Sequence, residues 1–343
     1  MTKKILIIDS TLRDGSHAMR HQFSKEMIST YAEGAEMAGA KLLIVGHGNG
    51  LGASSLQLGQ SLLSDRQMLI TARKKLKKTK LGAFLIPGFG TIKNDIQPAI
   101  DIGIEAIMIA CHCSEANITR EHIEYVIKKG VDAYGVLMMS HMLSAEKLLD
   151  QALLMQGYGA KGVLLMDSAG AYLPKDAFKK VSKLVKGLKI QVGFHAHNNL
   201  GMAIANSVAA VEAGANIVDT TSRGLGAGAG NCQLEVFVAV IEKMGYHTDL
   251  DLYKLMDNSQ YIATIMKRPQ EISSIELTSG LAGVFSGFAP HALKHSKEFS
   301  VDAREVLMEL GKRKVVAGQE DIIIDVAFNL SRKNIKKQRI LKS

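Results

Sequence analysis

A (β/α)8 barrel followed by a helical C-terminal domain is the architecture that this 343-residue sequence predicts, and three observations carry it. Short apolar runs recur at intervals of roughly 25 to 40 residues, each followed by a polar or glycine-rich turn and then a helical pattern. Polar residues gather where those runs end. Beyond Gly230 the strand pattern stops and amphipathic helical stretches replace it.

In chain order the predicted strands are Ile5–Ile8, Leu42–Val45, Leu81–Ile86, Ala106–Ala110, Ala133–Met139, Gly162–Met166, Ile190–Phe194 and Ile217–Asp219. Strands alternating with helices imply parallel pairing through right-handed crossovers, and eight such units in about 240 residues is the count that closes a barrel. A doubly wound open sheet shares the alternation. The barrel is preferred because Asp9, His47, His112, Ser140 with His141, Asp167 with Ser168, His195 with His197, and Thr220 with Thr221 all stand at strand ends. One barrel rim would collect them at a single mouth. The barrel is expected over residues 1–230, with a closing helical stretch continuing to about 270. Residues 271–343 are expected to form the helical C-terminal domain, a possible region of partner contact.

A hydrophobic content of 47% supports a buried core, and 32 glycines against 5 prolines suit many strand-to-helix turns. The net charge of +9 invites a nucleic-acid reading, but the basic runs at Lys74–Lys80, Lys179-Lys180 and Arg332–Lys342 are not gathered on one element with interleaved aromatics. They read as solvated helix faces and a loose tail, or as attraction for an acidic partner or anionic substrate. No nucleic-acid or membrane partner is expected, since no run approaches the ~18–20 apolar residues of a membrane helix. Cys111, Cys113 and Cys232 make no paired framework, and the N-terminal stretch lacks a signal peptide's apolar run, so a cytoplasmic location is expected. Cys111 and Cys113 flank His112 at a spacing compatible with a metal, but with no second pair they read as buried or rim thiols.

Two stretches carry chemistry. In "VGFHAHNN", His195 and His197 stand two apart on a strand, so both imidazoles face one side. Alone, that pattern also fits two histidines hydrogen-bonded at a strand end. With a carboxylate from the mouth of the first strand it becomes a set of two imidazoles and one acid, suited to Mn²⁺, Mg²⁺, Co²⁺ or Fe²⁺ better than to structural zinc. The second stretch, "IIDSTLRDGSHAMRHQF", ends a strand in a dense group of charged and titratable residues. Strands that only pack do not end this way.

Asp9-Ser10-Thr11-Leu12-Arg13-Asp14-Gly15 and His195-Ala196-His197-Asn198 resemble the signatures of the divalent-metal aldolases and acyltransferases related to hydroxymethylglutaryl-CoA lyase. Within that family the likeness is to the aldolases of 4-hydroxy-2-oxo acids. It extends through Gly46–Leu51, Ile86–Thr91, Cys111–Ala116, Gly224–Asn231 and Val316–Asp321. The resemblance implies a TIM barrel with a helical C-terminal domain. It implies Asp14, His195 and His197 as metal ligands, Arg13 on the enolate oxygen and His17 as general base, with Arg13, Asp14, Ser168, Asn231 and Phe285 around the substrate. His21 competes with His17 as base but is placed a helical turn farther from the mouth. The expected reaction is cleavage of 4-hydroxy-2-oxopentanoate, or a close homologue, to pyruvate and acetaldehyde or a longer aldehyde. Mn²⁺ is the expected cofactor, with Co²⁺ or Mg²⁺ as substitutes. An oligomer and an acylating acetaldehyde dehydrogenase partner are further implications. A Claisen-type acyltransferase of the isopropylmalate or homocitrate synthase kind is the alternative, since it shares the same residues on the first and seventh strands. One departure stands out: where those aldolases carry a tyrosine, this chain has Phe285, unless another hydroxyl such as that of Tyr172 replaces it.

Overall fold

A computed structural model describes residues 3–316 and 318–340, with side chains through Lys333. Ala317 of the Val316–Asp321 stretch and the last residues of the basic tail lie outside the described residues. Eight parallel strands close into a barrel in chain order, each hydrogen-bonded to the next and the last to the first. They are β1 (Leu6–Asp9), β2 (Leu42–Ile44), β3 (Lys80–Leu85), β4 (Ala106–His112), β5 (Asp132–Met138), β6 (Gly162–Asp167), β7 (Gln191–Ala196) and β8 (Ile217–Thr220). Every predicted run falls on one of them. Closure is made by β1 against β8, where Ile8 is level with Asp219 and Asp9 with Thr220.

Two apolar layers hold the barrel, and alternation along each strand decides which side chain joins which. Ile8, Leu42, Ile44, Phe84, Met108, Val136, Leu164, Met166 and Ile217 fill the interior. Their neighbours, including Ile7, Leu43, Ile107, Ile109, Leu165, Phe194 and Val218, pack outward against the helices. The same alternation corrects the expectation for two strand-end acids. Asp9 follows Ile8 and faces outward, where Tyr31 Oη donates to its Oδ2 at 2.7 Å and the Thr11 hydroxyl to its Oδ1 at 2.6 Å. Asp167 follows Met166 and accepts from the Ala171 and Tyr172 N–H groups at 3.0 and 2.9 Å. Burial pushes both carboxyls up, to about 6. They build the wall and do not line the mouth.

Helix starts follow local sequence. Ser24, Ser64 and Ser144 each accept a backbone N–H from the first turn of the helix they precede, and Gln67 completes a capping box with Ser64. The apolar run after Gly230 forms the helix Leu234–Lys243, and a second helix spans Leu252–Ile265. Beyond these, Val284, Phe288, Ala292, Val306, Leu307, Leu310, Ile323 and Val326 make a separate small apolar cluster among helices. The helix Ser274–Ala282 and the turn after it lie across the C-terminal ends of the strands. They are tied there by His141 Nε2 to the Gly283 carbonyl at 2.9 Å and by Asn199 Nδ2 donating to the Glu276 carbonyl at 3.0 Å. No described helix is long and apolar enough to cross a membrane.

Candidate active site

The turn after β1 folds tightly because the Arg13 and Asp14 N–H groups both return to the Ser10 carbonyl, opening a single helical turn, Gly15–Ala18. This places Arg13, Asp14 and His17 at the barrel mouth beside β7 and β8. Asp14, His195 and His197 are all buried, and one ligand atom from each lies within 4.8 Å of the others. Arg13 Nη1 donates to Asp14 Oδ2 at 2.7 Å, and the Ala227 N–H donates to Oδ1 at 3.2 Å. Burial raises the Asp14 carboxyl, but the Arg13 guanidinium and then the neighbouring imidazoles outweigh it and hold the group well below the usual carboxylate range. Burial pushes the His197 imidazole down to about 4, so its ring is neutral near pH 7.

Asp219 was not anticipated among the site residues. It is level with His195 across the β7–β8 pairing, and its Oδ2 meets His195 Nδ1 at 2.8 Å. With Nδ1 carrying the proton to that carboxylate, His195 Nε2 presents a lone pair toward Asp14 Oδ2, 3.7 Å away. A ring nitrogen fixed this way is how proteins orient imidazole toward a metal. The signal in the sequence was Asp219 itself, two residues after the inward-facing Ile217.

Buried polar atoms without partners mark what the site is for. Among the described residues they include His195 Nε2, His197 Nδ1, Asn231 Oδ1 and Arg13 Nε, while Arg13 Nη2 makes no hydrogen bond but lies 3.5 Å from Asp219 Oδ2. A divalent cation fits the Asp14, His195 and His197 cluster: two imidazoles and a carboxylate, with no thiolate. Arg13 is 3% exposed, and its guanidinium carbon lies 4.2 Å from the Phe84 ring centroid, a cation–π contact not anticipated from the sequence.

His17 is half-buried with its ring facing Gly48, and burial lowers its pKa below the ordinary histidine value. Gly48 is required there, because a Cβ would collide with the His17 ring. His21 is not a helical turn farther out. Arg20 and His21 adopt left-handed backbone angles, φ 53° and 59°, which swing the His21 ring back to 5.1 Å from His17 and stack it on His47 at 3.7 Å. Both rings are committed. His21 Nδ1 faces Ser16 Oγ at 3.2 Å and its other side faces the Leu58 carbonyl. His47 Nδ1 accepts from the Asn49 N–H at 3.0 Å, so its Nε2 donates to the Gly59 carbonyl at 3.0 Å.

The other predicted residues divide. Asn231 sits at the cage, its backbone bridged to that of His197. Ser168 is buried, and its oxygen accepts from the Met139 N–H at 2.9 Å. Phe285 is half-buried in the segment across the mouth, its ring edge-on to Phe288 with centroids 6.3 Å apart. Tyr172 does not supply a replacement hydroxyl at the mouth: it packs outside the wall on Phe194, and its hydroxyl donates to Ser140 Oγ at 2.9 Å. Cys111, Cys113 and Cys232 are buried free thiols.

Comparison with known proteins agrees with this geometry. The chain matches the HMGL-like family over residues 4–262 and the DmpG-like communication domain over residues 270–332. It is 51% identical to the 4-hydroxy-2-oxovalerate aldolase of Pectobacterium atrosepticum, covering 97% of this chain and 98% of the relative. It is 50% identical to that of Spirochaeta aurantia, covering 94% and 95%. Among solved structures, the carboxyl transferase domain of Rhizobium etli pyruvate carboxylase superposes with a TM-score of 0.79 at 16% identity, over 96% of this chain and 61% of that one, a likeness of fold alone. The chain belongs to the HMGL-like family of divalent-metal enzymes, and within it to the 4-hydroxy-2-oxovalerate aldolases, which are carbon–carbon lyases.

Proposed function

We propose that the protein cleaves 4-hydroxy-2-oxopentanoate, or a close homologue, to pyruvate and an aldehyde by metal-assisted retro-aldol chemistry. The observation that carries this is a buried cluster beside an arginine: one ligand atom each of Asp14, His195 and His197 within 4.8 Å of one another, with His195 Nε2 unpartnered and Asp14 paired to Arg13. Asp14, His195 and His197 would hold the cation, with Asn231 near it and Mn²⁺ the favoured ion. When bound, the cation supplies Lewis acidity to the substrate's keto oxygen. Arg13, its Nε unpartnered and its Nη2 3.5 Å from Asp219 Oδ2, neutralises charge developing on the C2 oxygen. His17, its ring packed against Gly48, offers a ring nitrogen as a base for the C4 hydroxyl proton. As that proton leaves, the C3–C4 bond breaks, its electrons enter the C2 carbonyl, and the aldehyde departs. Proton return to C3 completes pyruvate. Ser168 and Phe285 are assigned to the substrate pocket, and a phenyl ring in place of a phenol leaves the aldehyde end without a hydroxyl donor.

The Claisen-type acyltransferase is not favoured, because relatives at about half identity over nearly the whole chain are named as aldolases. We assign residues 1–230 to the barrel, the following helices to about 270 to its closure, and 271–343 to the helical domain. The communication-domain match, with Leu277, Leu281, Ile324 and Phe328 exposed on that region, supports an acylating aldehyde dehydrogenase as partner and an oligomeric assembly. Three free thiols suit the cytoplasm. The test is pyruvate release from a series of 4-hydroxy-2-oxo acids, coupled to lactate dehydrogenase. Mn²⁺-dependent release from the five-carbon acid is expected, and release of thiol from acetyl-CoA with a 2-oxo acid, without pyruvate formation, would overturn the reading.

A further inference from the structure

The loop Gly224–Asn231 passes between the metal ligands and the C-terminal region, and one side chain from that region grips it. Gln270 Nε2 donates to the Gly228 carbonyl at 2.5 Å and lies 3.4 Å from that of Gly226. The Gly226 carbonyl belongs to the same peptide group as the Ala227 N–H that donates to Asp14 Oδ1. Gln270 packs closely on the loop at Gly230, where φ is +84° and a Cβ would stand 2.1 Å from the Gly224 carbonyl oxygen and 2.5 Å from Gln270 Cγ. The other Asp14 oxygen is oriented by Arg13, so Ala227 is the group that sets the carboxylate's rotation from the loop side. Gln270 is also the first residue of the segment matching the communication domain.

We propose that Gln270 is a positioning residue for the metal ligand Asp14, acting through the Gly226–Gly228 backbone, and thereby links the C-terminal region to cation affinity. It touches neither substrate nor metal. The inference rests on the metal-site assignment above. Removing a group that directly orients a metal ligand costs roughly 10- to 100-fold in affinity, and Gln270 acts one link farther out, so a loss of about 3- to 10-fold in Mn²⁺ affinity is expected.

The experiment is titration of chelator-stripped full-length protein with Mn²⁺, following the EPR signal of free ion, for wild type, Gln270→Ala and Gln270→Glu. Glutamate keeps the packing against Gly230 but has no N–H to donate and sets a negative charge against two carbonyls. Both variants should weaken binding by more than twofold while circular dichroism stays unchanged. Wild-type affinity, within twofold, in a folded Gln270→Glu overturns the proposal even if alanine fails to fold. Wild type that binds no Mn²⁺ overturns the metal site and this inference with it, whereas tight wild-type binding with indifferent variants removes only the inference.

Discussion

Two pairs of histidines stand at the same barrel mouth and are built in opposite ways. His21 and His47 stack face to face at 3.7 Å, 13° from parallel, and each uses both sides of its ring on neighbouring groups. His195 and His197 lie 5.1 Å apart at 63°, and each keeps at least one buried nitrogen without a partner. A buried unpaired nitrogen costs about 1–3 kcal/mol, so a fold that leaves two beside a carboxylate holds them for something else. Unpartnered ring nitrogens occur also at His112, His122 and His141, so what sets His195 and His197 apart is that their ligand atoms and one of Asp14 lie within 4.8 Å of one another.

The largest consequence follows from removing an incomplete ring. His195→Ala or His197→Ala should abolish most Mn²⁺ binding and turnover while the protein stays folded, and chelation of wild type should do the same until metal is restored, read by pyruvate release. Arg13→Lys should bind metal normally yet lose on the order of 10²- to 10³-fold in kcat, because a point charge cannot reproduce the fork proposed to meet the C2 oxygen. A near wild-type rate would reassign Arg13 to holding Asp14. Asp219→Asn tests the orientation of His195 and should cost roughly 10- to 100-fold in metal affinity. An unchanged affinity would mean that the contact at 2.8 Å does not select the imidazole tautomer.

The completed pair should respond in stability rather than in chemistry. Burial holds His47 down to about 4, against an ordinary value near 6.5. The unfolded chain therefore takes up a proton first as the pH falls, and the stability contributed by neutral His47 is present above about 6.5 and lost between there and about 4. His47→Gln should flatten the fall of unfolding free energy across that window by up to one proton's worth of slope, measured by urea titration at several pH values. An identical slope would place His47 in water.

How much of this was legible in the sequence depends on whether a contact is local. The strands were readable as apolar runs, and the helices Leu252–Ile265 and Ala303–Arg313 as amphipathic periods. Asp14, His195 and His197 were readable because spacing on one strand and resemblance in one turn both pointed to them. Asp219 needed the β7–β8 register, which no local pattern supplies. Asp9 and Asp167 misled for the reverse reason: a strand-end acid looks the same whether it faces in or out, and only the pairing of Ile8 and Met166 with the interior settles which. His21 was misplaced because two successive non-glycine residues in the left-handed region are rare enough that no residue preference announces them.

The most direct test of the contrast between the two pairs is the nitrogen hyperfine signature of bound Mn²⁺ by pulsed EPR. Wild type and His47→Gln should both show one Mn²⁺ per chain coupled to two imidazole nitrogens, and His197→Ala should show one such nitrogen at most with much weaker binding. A Mn²⁺ signal without imidazole coupling in wild type, or one lost in His47→Gln and kept in His197→Ala, would contradict the assignment of His195 and His197 as the ligands.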